Sequence, residues 1–212
     1  MISVVLADDH VVVRTGIKML LDADSDIEVV AEAAEGTEAY SLVARYKPDV
    51  LLLDISMPPG QSGLIACEKT AKDFPDTKVV ILTMFAEPEY LLYTLRGGAA
   101  GYVLKNSTPE SLRQAVHDVA NGGSYIHPTM IELLAKHAAG GSNDPSIQQL
   151  SSRELEILQL IARGHTNKEI STMMFLSVKT VEAHRSKIYK KLHLKTRADA
   201  VDYALRHKLL DL

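Results

Sequence analysis

The chain has 212 residues, of which 46% are hydrophobic, so it is long enough for two ordinary globular domains with a core each. Its single cysteine, Cys67, excludes a disulfide framework within the chain and a thiolate-rich metal site. The first residues form no basic leader, and no apolar run approaches the ~18 residues of a membrane span. We therefore expect a soluble, cytoplasmic protein with no membrane partner.

The net charge of −4 is distributed unevenly along the chain. Residues 1–140 hold 11 Lys and Arg against 19 Asp and Glu, whereas residues 141–212 hold 12 against 8. An acidic front part and a basic back part indicate two modules, the second of which is suited to a polyanion.

Short apolar runs alternate with helical patterns five times in the first 125 residues. The predicted strands are 2–7, 27–33, 50–53, 78–83 and 101–104, and the predicted helices are 11–22, 37–46, 64–73, 88–97 and 109–121. Regular alternation with short connections predicts an α/β domain with a five-stranded parallel sheet, doubly wound by helices on both faces in the flavodoxin-like arrangement.

The rest of the chain has no strand pattern. Residues 138–149 are small, polar and rich in breakers, which predicts a flexible linker. Four helical patterns follow, the first capped by Ser151, the second by Asn167 and the third by Ser177, and they predict an all-α domain. The short helix that ends at Met174, the turn at 175–177 and the long helix 178–192 have the proportions of a helix-turn-helix. The predicted boundaries are 1–125, 126–149 for a connecting helix and flexible linker, and 150–212.

Polar residues stand at the ends of four of the five predicted strands. Asp8 and Asp9 follow the first strand, Asp54 follows the third, Thr83 ends the fourth, and Lys105 follows the fifth. In open α/β sheets, ligands bind at this edge. Three carboxylates suit Mg²⁺, and a lysine suits a phosphate oxygen. Each residue alone is more often a cap, turn or surface residue, but together they predict phosphoryl transfer to Asp54 with Mg²⁺ as cofactor.

These residues carry a resemblance to a known family. Residues 1–125 resemble the receiver domain of bacterial two-component response regulators, through Asp8-Asp9-His10, the run from Asp54 to Pro58, Leu82-Thr83, and the run from Tyr102 to Lys105. The resemblance implies that Asp54 is the phosphoacceptor and that Asp8 and Asp9 are metal ligands, with the Ser56 backbone carbonyl as a further metal ligand. It also implies that Thr83 and Lys105 bind the phosphoryl oxygens. Tyr102 is the implied switch aromatic. The alternative for Tyr102 is a half-exposed strand aromatic.

Two positions depart from the family pattern. Many receivers have proline after the lysine and a small residue after the threonine, whereas this chain has Asn106 and Met84. We expect Met84 and Phe85 to shield the phosphoryl group from water. The loop from Pro58 to Ile65 and the stretch from Leu82 to Phe85 are similar to oxygen- and nitrate-linked regulators of the NreC type.

The basic residues of the second module concentrate on helix 178–192, which fits the DNA major groove. A solvated charged face is the alternative. Residues 149–212 resemble the LuxR/NarL/FixJ-type DNA-binding domain, through Leu150 to Glu154, Gly164, Asn167 to Ile170, Ser177, Lys179 to Arg185 and Lys191-Leu192. The residues that this resemblance turns towards DNA are Lys179, Thr180, Glu182, Ala183, Ser186 and Lys187.

The order of the two domains resembles that of a NarL/FixJ-type response regulator. This architecture implies a sensor histidine kinase and double-stranded DNA as partners, a homodimer when the protein is phosphorylated or bound to DNA, and RNA polymerase as a further partner. Enzymatic activity is expected only as promotion of its own phosphorylation and dephosphorylation. Two alternatives from other classes are an aspartate-nucleophile phosphatase and a phosphorylation-gated module that binds protein.

Overall fold

The computed structural model of the chain describes residues 1–57, 63–84, 86, 88–139, 150–174, 176–207 and 209–210. The chain divides into two compact units, Met1–Gly141 and Ser142–Leu212. None of the helices in these described ranges has the length and apolar character that a membrane crossing requires.

The first unit is a parallel sheet with helices between its strands. Its strands are β1 (Ile2–Ala7), β2 (Ile27–Ala33), β3 (Val50–Leu53), β4 (Lys78–Thr83), β5 (Gly101–Leu104) and β6 (Tyr125–Ile126). Its helices are α1 (Val11–Asp22), α2 (Gly36–Tyr46), α3 (Gly63–Asp73), α4 (Pro88–Arg96), α5 (Pro109–Ala120) and α6 (Pro128–Ala139). The strand order is β2-β1-β3-β4-β5-β6, and every pair is parallel.

The register of the sheet brings the polar strand ends to one level. All four residues of β3 are fully buried, as expected for a strand covered on both faces. Ala7 pairs with Leu53, so the residue after each of these strands is an aspartate at the same edge. Thr83 pairs with Leu104, and the N–H of Lys105 donates to the Thr83 carbonyl at 2.8 Å.

The predicted number of five strands is wrong, because the sheet has a sixth strand. The two residues of β6 pair with Gly101 and Tyr102 of β5. Helix α6 begins directly after β6 and packs against α4, with the Met130 side chain fully buried. A two-residue run between breakers has no periodicity that sequence patterns could reveal.

The second unit is the predicted four-helix domain. Its helices are α7 (Ser152–Ala162), α8 (Asn167–Met173), α9 (Val178–Lys191) and α10 (Arg197–Arg206). The apolar side chains that are completely buried between them are Ile157, Leu158, Ile170, Val181, Ile188, Ala200 and Ala204.

Two of the three helix caps predicted for this unit are found in the structure. Ser151 caps α7 in a capping box with Glu154, and Ser177 caps α9. The prediction that Asn167 caps the short helix is wrong, because the cap is Thr166. The Thr166 hydroxyl accepts from the N–H of Glu169, and the Glu169 carboxylate accepts from the N–H of Thr166 at 2.7 Å. This reciprocal pair satisfies two backbone donors at the helix start.

Candidate functional site

Three carboxylates and one lysine meet at the edge of the sheet where β1, β3 and β5 end. Asp8 is fully buried and Asp54 is 3% exposed, whereas the side chain of Asp9 is 20% exposed. The Lys105 ammonium lies 2.7 Å from one oxygen of Asp8 and 2.7 Å from one oxygen of Asp54. Both contacts are ion pairs, and the contact with Asp54 is also a hydrogen bond. The structure therefore brings these four strand-end residues together at one edge of the sheet.

Burial and charge act against each other in this cluster. Burial raises the pKa of Asp54, and the nearby Lys105 offsets part of that rise. Burial acts to lower the pKa of Lys105, but attraction and hydrogen bonding to Asp54 and attraction to Asp8 outweigh it, so this pKa is raised. The lysine is thus held in its charged form, and one ammonium faces more than one carboxylate.

The donor set fits a hard divalent cation. Ligand atoms of Asp8, Asp9, His10 and Asp54 all lie within 4.8 Å of one another. The buried Oδ2 of Asp8 is in contact with the Lys105 ammonium, and the buried Oδ1 of Asp9 is in contact with the His10 ring. Carboxylate oxygens of this kind suit Mg²⁺. We call Asp8, Asp9 and Asp54 the acidic cluster.

His10 is a neighbour of the cluster for which the sequence predicted no role of its own. Its ring Nδ1 lies 2.7 Å from Asp9 Oδ1, and its backbone N–H donates to Asp8 Oδ1 at 2.8 Å. Its position directly after the two aspartates was the available signal, but histidine is not a preferred Mg²⁺ ligand.

Residues further along the chain hold Asp54 and its loop. The N–H of Ser56 donates to Asp54 Oδ1 at 3.3 Å, which fixes the carboxylate beside the start of the loop. The N–H of Gly63 donates to the Ile55 carbonyl at 3.0 Å. A Cβ at Gly63 would overlap the Asp54 carbonyl oxygen, so this position requires glycine for the close approach of two backbones. Residues 58–62 of this loop lie outside the described ranges.

Arg14 supports the loop that carries the first two aspartates. Its guanidinium donates to the Asp8 carbonyl at 2.6 Å and to Glu32 at 3.2 Å. It therefore ties the end of β1 to β2 from a position on α1. Neither Arg14 nor Gly63 was predicted, because both act through backbone contacts that appear only in the folded chain.

The predicted switch residues lie in the interior of the first unit. Thr83 and Tyr102 are both fully buried, so the alternative of a half-exposed strand aromatic at Tyr102 is wrong. The Tyr102 carbonyl accepts from the N–H of His127 at 3.0 Å, which joins β5 to the start of α6. Met84 is 68% exposed, and Phe85 lies outside the described ranges, so the shielding of a phosphoryl group by these two residues stays a prediction.

Helix α9 presents five of the six predicted DNA-facing residues outward. Val181 and Ile188 are completely buried and Leu192 is 6% exposed, which fixes the inner stripe of the helix. The exposed residues on its other side include Lys179, Glu182, Ala183, Ser186 and Lys187. Thr180 is half-buried, and its N–H donates to the Ser177 hydroxyl at 3.1 Å in the helix cap.

One lysine on the flank of α9 that faces α7 is paired with a carboxylate of α7, because Lys191 Nζ lies 2.6 Å from Glu154. Arg153, at the start of α7, lies 3.3 Å from Glu156 of the same helix. Burial acts to raise the pKa of Glu154, but hydrogen bonds from Lys191 and Ser151 outweigh it and lower that pKa. This buried carboxylate fixes α9 against α7.

Comparison with known proteins matches both units to families. Residues 4–117 match the response regulator receiver domain, and residues 148–204 match the bacterial regulatory proteins of the luxR family. The chain belongs to the luxR-type response regulators. The aspartate-nucleophile phosphatase and the protein-binding module are set aside by this assignment. The resemblance to NarL/FixJ-type regulators is confirmed, and the protein is a DNA-binding regulator of transcription rather than a metabolic enzyme.

Individual relatives are similar over the full length of this regulator. The oxygen regulatory protein NreC of Staphylococcus carnosus is 52% identical over 216 residues, with 99% of each chain covered. NreC of Staphylococcus aureus strain NCTC 8325 is 52% identical over 215 residues, also with 99% of each chain covered. RcsB of Salmonella enterica serovar Typhimurium, solved bound to the promoter P1flhDC, is 29% identical with a TM-score of 0.71 and covers 100% of this chain and 99% of its own.

Proposed function

We propose that Asp54 is the phosphoacceptor of this response regulator and that a sensor histidine kinase is the donor. The observation that carries the proposal is the Lys105 ammonium, which lies 2.7 Å from Asp54 at the end of a fully buried strand. A carboxylate oxygen of Asp54 attacks phosphorus, the new O–P bond forms, and the P–N bond of the donor phosphohistidine breaks. The electron pair of that bond returns to the imidazole, which takes up a proton.

Charge compensation is the main contribution of the site to this transfer. Lys105 and the Thr83 hydroxyl bind oxygens of the phosphoryl group. The ion pair between Lys105 and Asp54 breaks when Lys105 binds the phosphoryl group. Asp8, Asp9, Asp54 and the Ser56 carbonyl would hold Mg²⁺, which supplies further charge neutralisation when bound. Water hydrolyses the acyl phosphate, which restores the Asp54 carboxylate and releases inorganic phosphate. The catalysis that we propose is limited to phosphorylation and dephosphorylation of the receiver itself.

The added charge changes the receiver through Thr83 and Tyr102. A phosphoryl group adds about −1.5 to −2 charges at neutral pH. Thr83 moves towards it, and Tyr102 shifts into the space that Thr83 leaves. The contact between the Tyr102 carbonyl and His127 supports passage of this change from β5 to β6 and α6, because these elements follow β5 in the sheet. A two-state element of this kind is what a phosphorylation switch requires.

The output is DNA binding by the helical unit. Lys179, Thr180, Glu182, Ala183, Ser186 and Lys187 face the major groove, and the exposure of all of them except half-buried Thr180 supports this assignment. The related RcsB has been solved as dimers bound to DNA, which supports a homodimer on two half-sites. We propose domain boundaries of 1–125, 126–149 and 150–212, a cytoplasmic location, and contact with RNA polymerase at the promoter.

Mapping of the phosphoryl group tests the proposal. The full chain is incubated with Mg²⁺ and a small phosphodonor, the acyl phosphate is trapped by reduction, and peptides are analysed by mass spectrometry. We expect the label on Asp54, with loss of labelling in Asp54→Asn and without Mg²⁺. Labelling of another residue, or equal labelling of Asp54→Asn, would contradict the assignment.

A further inference from the structure

Four polar atoms of Asp8 are held by four different residues. Its backbone N–H donates to the Ala33 carbonyl at 3.1 Å, and its backbone carbonyl accepts from the Arg14 guanidinium at 2.6 Å. Its Oδ1 accepts from the backbone N–H of His10 at 2.8 Å, and its Oδ2 lies 2.7 Å from the Lys105 ammonium. Among these four partners, Arg14 is the side chain that reaches the loop from outside the site assigned above.

Arg14 closes the segment from Asp8 to His10 at both ends. Its backbone N–H donates to the His10 carbonyl at 2.9 Å in the first turn of α1, and its side chain donates to the Asp8 carbonyl. Asp9, whose carboxylate belongs to the acidic cluster, lies between these two fixed carbonyls. The path of the backbone through Asp9 is therefore set by one residue that is itself no part of the cluster.

The Arg14 guanidinium is itself held in place by a carboxylate of β2. Nη1 donates to Asp8, and Nε donates to Glu32 at 3.2 Å, so two nitrogens of one planar group hold two acceptors. The side chain of Arg14 is 16% exposed and that of Glu32 is 37% exposed. This arrangement fixes the guanidinium more firmly than one hydrogen bond would.

The contact of Arg14 with the loop is made through a neutral group. The guanidinium pairs with Glu32 and binds a backbone carbonyl of Asp8. A guanidinium without such a partner is attracted to the acidic cluster and competes with a cation for it, as the Lys105 ammonium does. Arg14 therefore acts on the cluster through geometry, and Glu32 keeps its charge directed away from the carboxylates.

Magnesium is the cation for which such geometry has the largest effect. It requires nearly ideal octahedral coordination, so a small shift of a ligand costs affinity. Groups that orient metal ligands without touching the metal typically contribute about 10–100-fold to metal affinity.

We propose that Arg14 is a positioning residue for the divalent cation, and that Glu32 acts through Arg14. Arg14 holds the segment from Asp8 to His10 in the shape that Mg²⁺ binding requires. The inference rests on the proposed Mg²⁺ site and adds two residues that are not ligands of it.

The Mg²⁺ affinity of the unphosphorylated full chain tests the proposal. Amide NMR shifts of Asp8, Asp9 and His10 are followed during titration with MgCl₂ at constant ionic strength, which gives a Kd for the folded protein. Arg14→Met is expected to raise this Kd by about tenfold or more. A pure charge effect has the opposite sign, because removal of a positive charge beside a cation site lowers the Kd.

Two variants of α1 separate positioning from charge and from stability. Arg14→Lys keeps the charge, but its single nitrogen cannot replace both Nη1 and Nε, so we expect a Kd between those of the wild type and Arg14→Met. Lys18→Met removes a cation one turn further along α1, where Lys18 pairs with Asp22 at 2.8 Å, and is expected to keep the wild-type Kd. Hydrogen exchange of sheet amides verifies that each variant is folded.

A double-variant cycle tests the role of Glu32. Glu32→Gln is expected to raise the Kd less than Arg14→Met does. The variant with both substitutions is expected to have the Kd of Arg14→Met, because Glu32 acts through Arg14. Additive effects would show that Glu32 attracts the cation directly by charge and would overturn this part of the proposal.

The outcomes distinguish this inference from the site on which it rests. If the wild type shows no saturable Mg²⁺-dependent shift, the proposed metal site fails and the inference fails with it. If the wild type binds Mg²⁺ and Arg14→Met has an equal or lower Kd, the inference alone is overturned. If Arg14→Met does not fold, Arg14→Lys decides, and a Kd equal to that of the wild type overturns the proposal.

Discussion

Replacement of Lys105 by methionine tests how the acidic cluster is stabilised. The substitution keeps a side chain of similar length and removes the ammonium that lies 2.7 Å from both Asp8 and Asp54. Both carboxylates are almost completely buried, so their charges lose their compensating partner. Breaking a buried pair in this way costs about 3–5 kcal/mol. We expect Lys105→Met to destabilise the receiver by that amount in the absence of divalent ions.

Addition of Mg²⁺ is expected to reverse part of this loss. An ion that binds the folded state at ten times its dissociation constant stabilises it by about 1.4 kcal/mol. Because the ammonium no longer competes for the carboxylates, Lys105→Met is expected to bind Mg²⁺ more tightly than the wild type. The stability difference between the two proteins therefore shrinks as Mg²⁺ rises.

The assay is urea unfolding of the full chain, monitored by hydrogen exchange of peptides from the sheet so that the receiver is followed separately from the helical unit. Sodium chloride at matched ionic strength controls for screening, and Lys72→Met controls for loss of an exposed lysine. If Lys105→Met is as stable as the wild type without Mg²⁺, or if Mg²⁺ leaves the difference unchanged, Lys105 does not neutralise the acidic cluster and the reasoning is refuted.

Three further substitutions test the packing and charge of each unit. Gly63→Ala places a methyl group on the Asp54 carbonyl and is expected to destabilise the receiver by about 1–3 kcal/mol in urea unfolding. Gly16→Ala, whose added methyl group meets no atom within 4 Å in α1, is expected to stabilise it by about 1 kcal/mol. Glu154→Gln removes the charge that faces Lys191 and is expected to destabilise the helical unit by about 1–2 kcal/mol at pH 7. Because the folded state lowers the pKa of Glu154, its contribution is complete above the ordinary value of 4.5 and is lost as the pH falls through the lower folded value.

Specific results would contradict these expectations. Equal stability of the two alanine variants would show that the backbone approach at Gly63 is not tight. A Glu154→Gln defect that does not shrink at any pH as the pH is lowered from 7, measured by circular dichroism melts of the full chain, would show that the lost interaction is not ionic.

The sequence predicts the edge of the sheet where chemistry occurs, because a buried strand and its end are local patterns. Asp54 follows four consecutive large apolar residues, and Asp8 follows a similar run, so both positions are clear without a structure. The parallel register then brings them together. The inner stripe of α9 was predictable for the same reason, since Val181 and Ile188 repeat at helical spacing.

Other features depend on contacts that no local pattern encodes. Strand β6 is two residues long and forms only because β5 offers an open edge. Thr166 had a signal in its three-residue spacing to Glu169, but Asn167 is an equally good cap by residue type, so the choice was open. Which basic residues of α9 have acidic partners also depends on the folded chain. Lys191 and Arg185 are both basic residues of α9, yet among the described residues Lys191 is paired with the Glu154 carboxylate and Arg185 donates to the neutral Asn167 side chain.

DNA affinity of the wild type and of Asp54→Asn, each with and without a small phosphodonor and Mg²⁺, tests the central claim most directly. The duplex is one selected from random sequences by the phosphorylated wild type. We predict that the phosphodonor raises the affinity of the wild type and leaves that of Asp54→Asn unchanged. An equal increase in both proteins would contradict the claim that Asp54 is the input of a switch whose output is DNA binding.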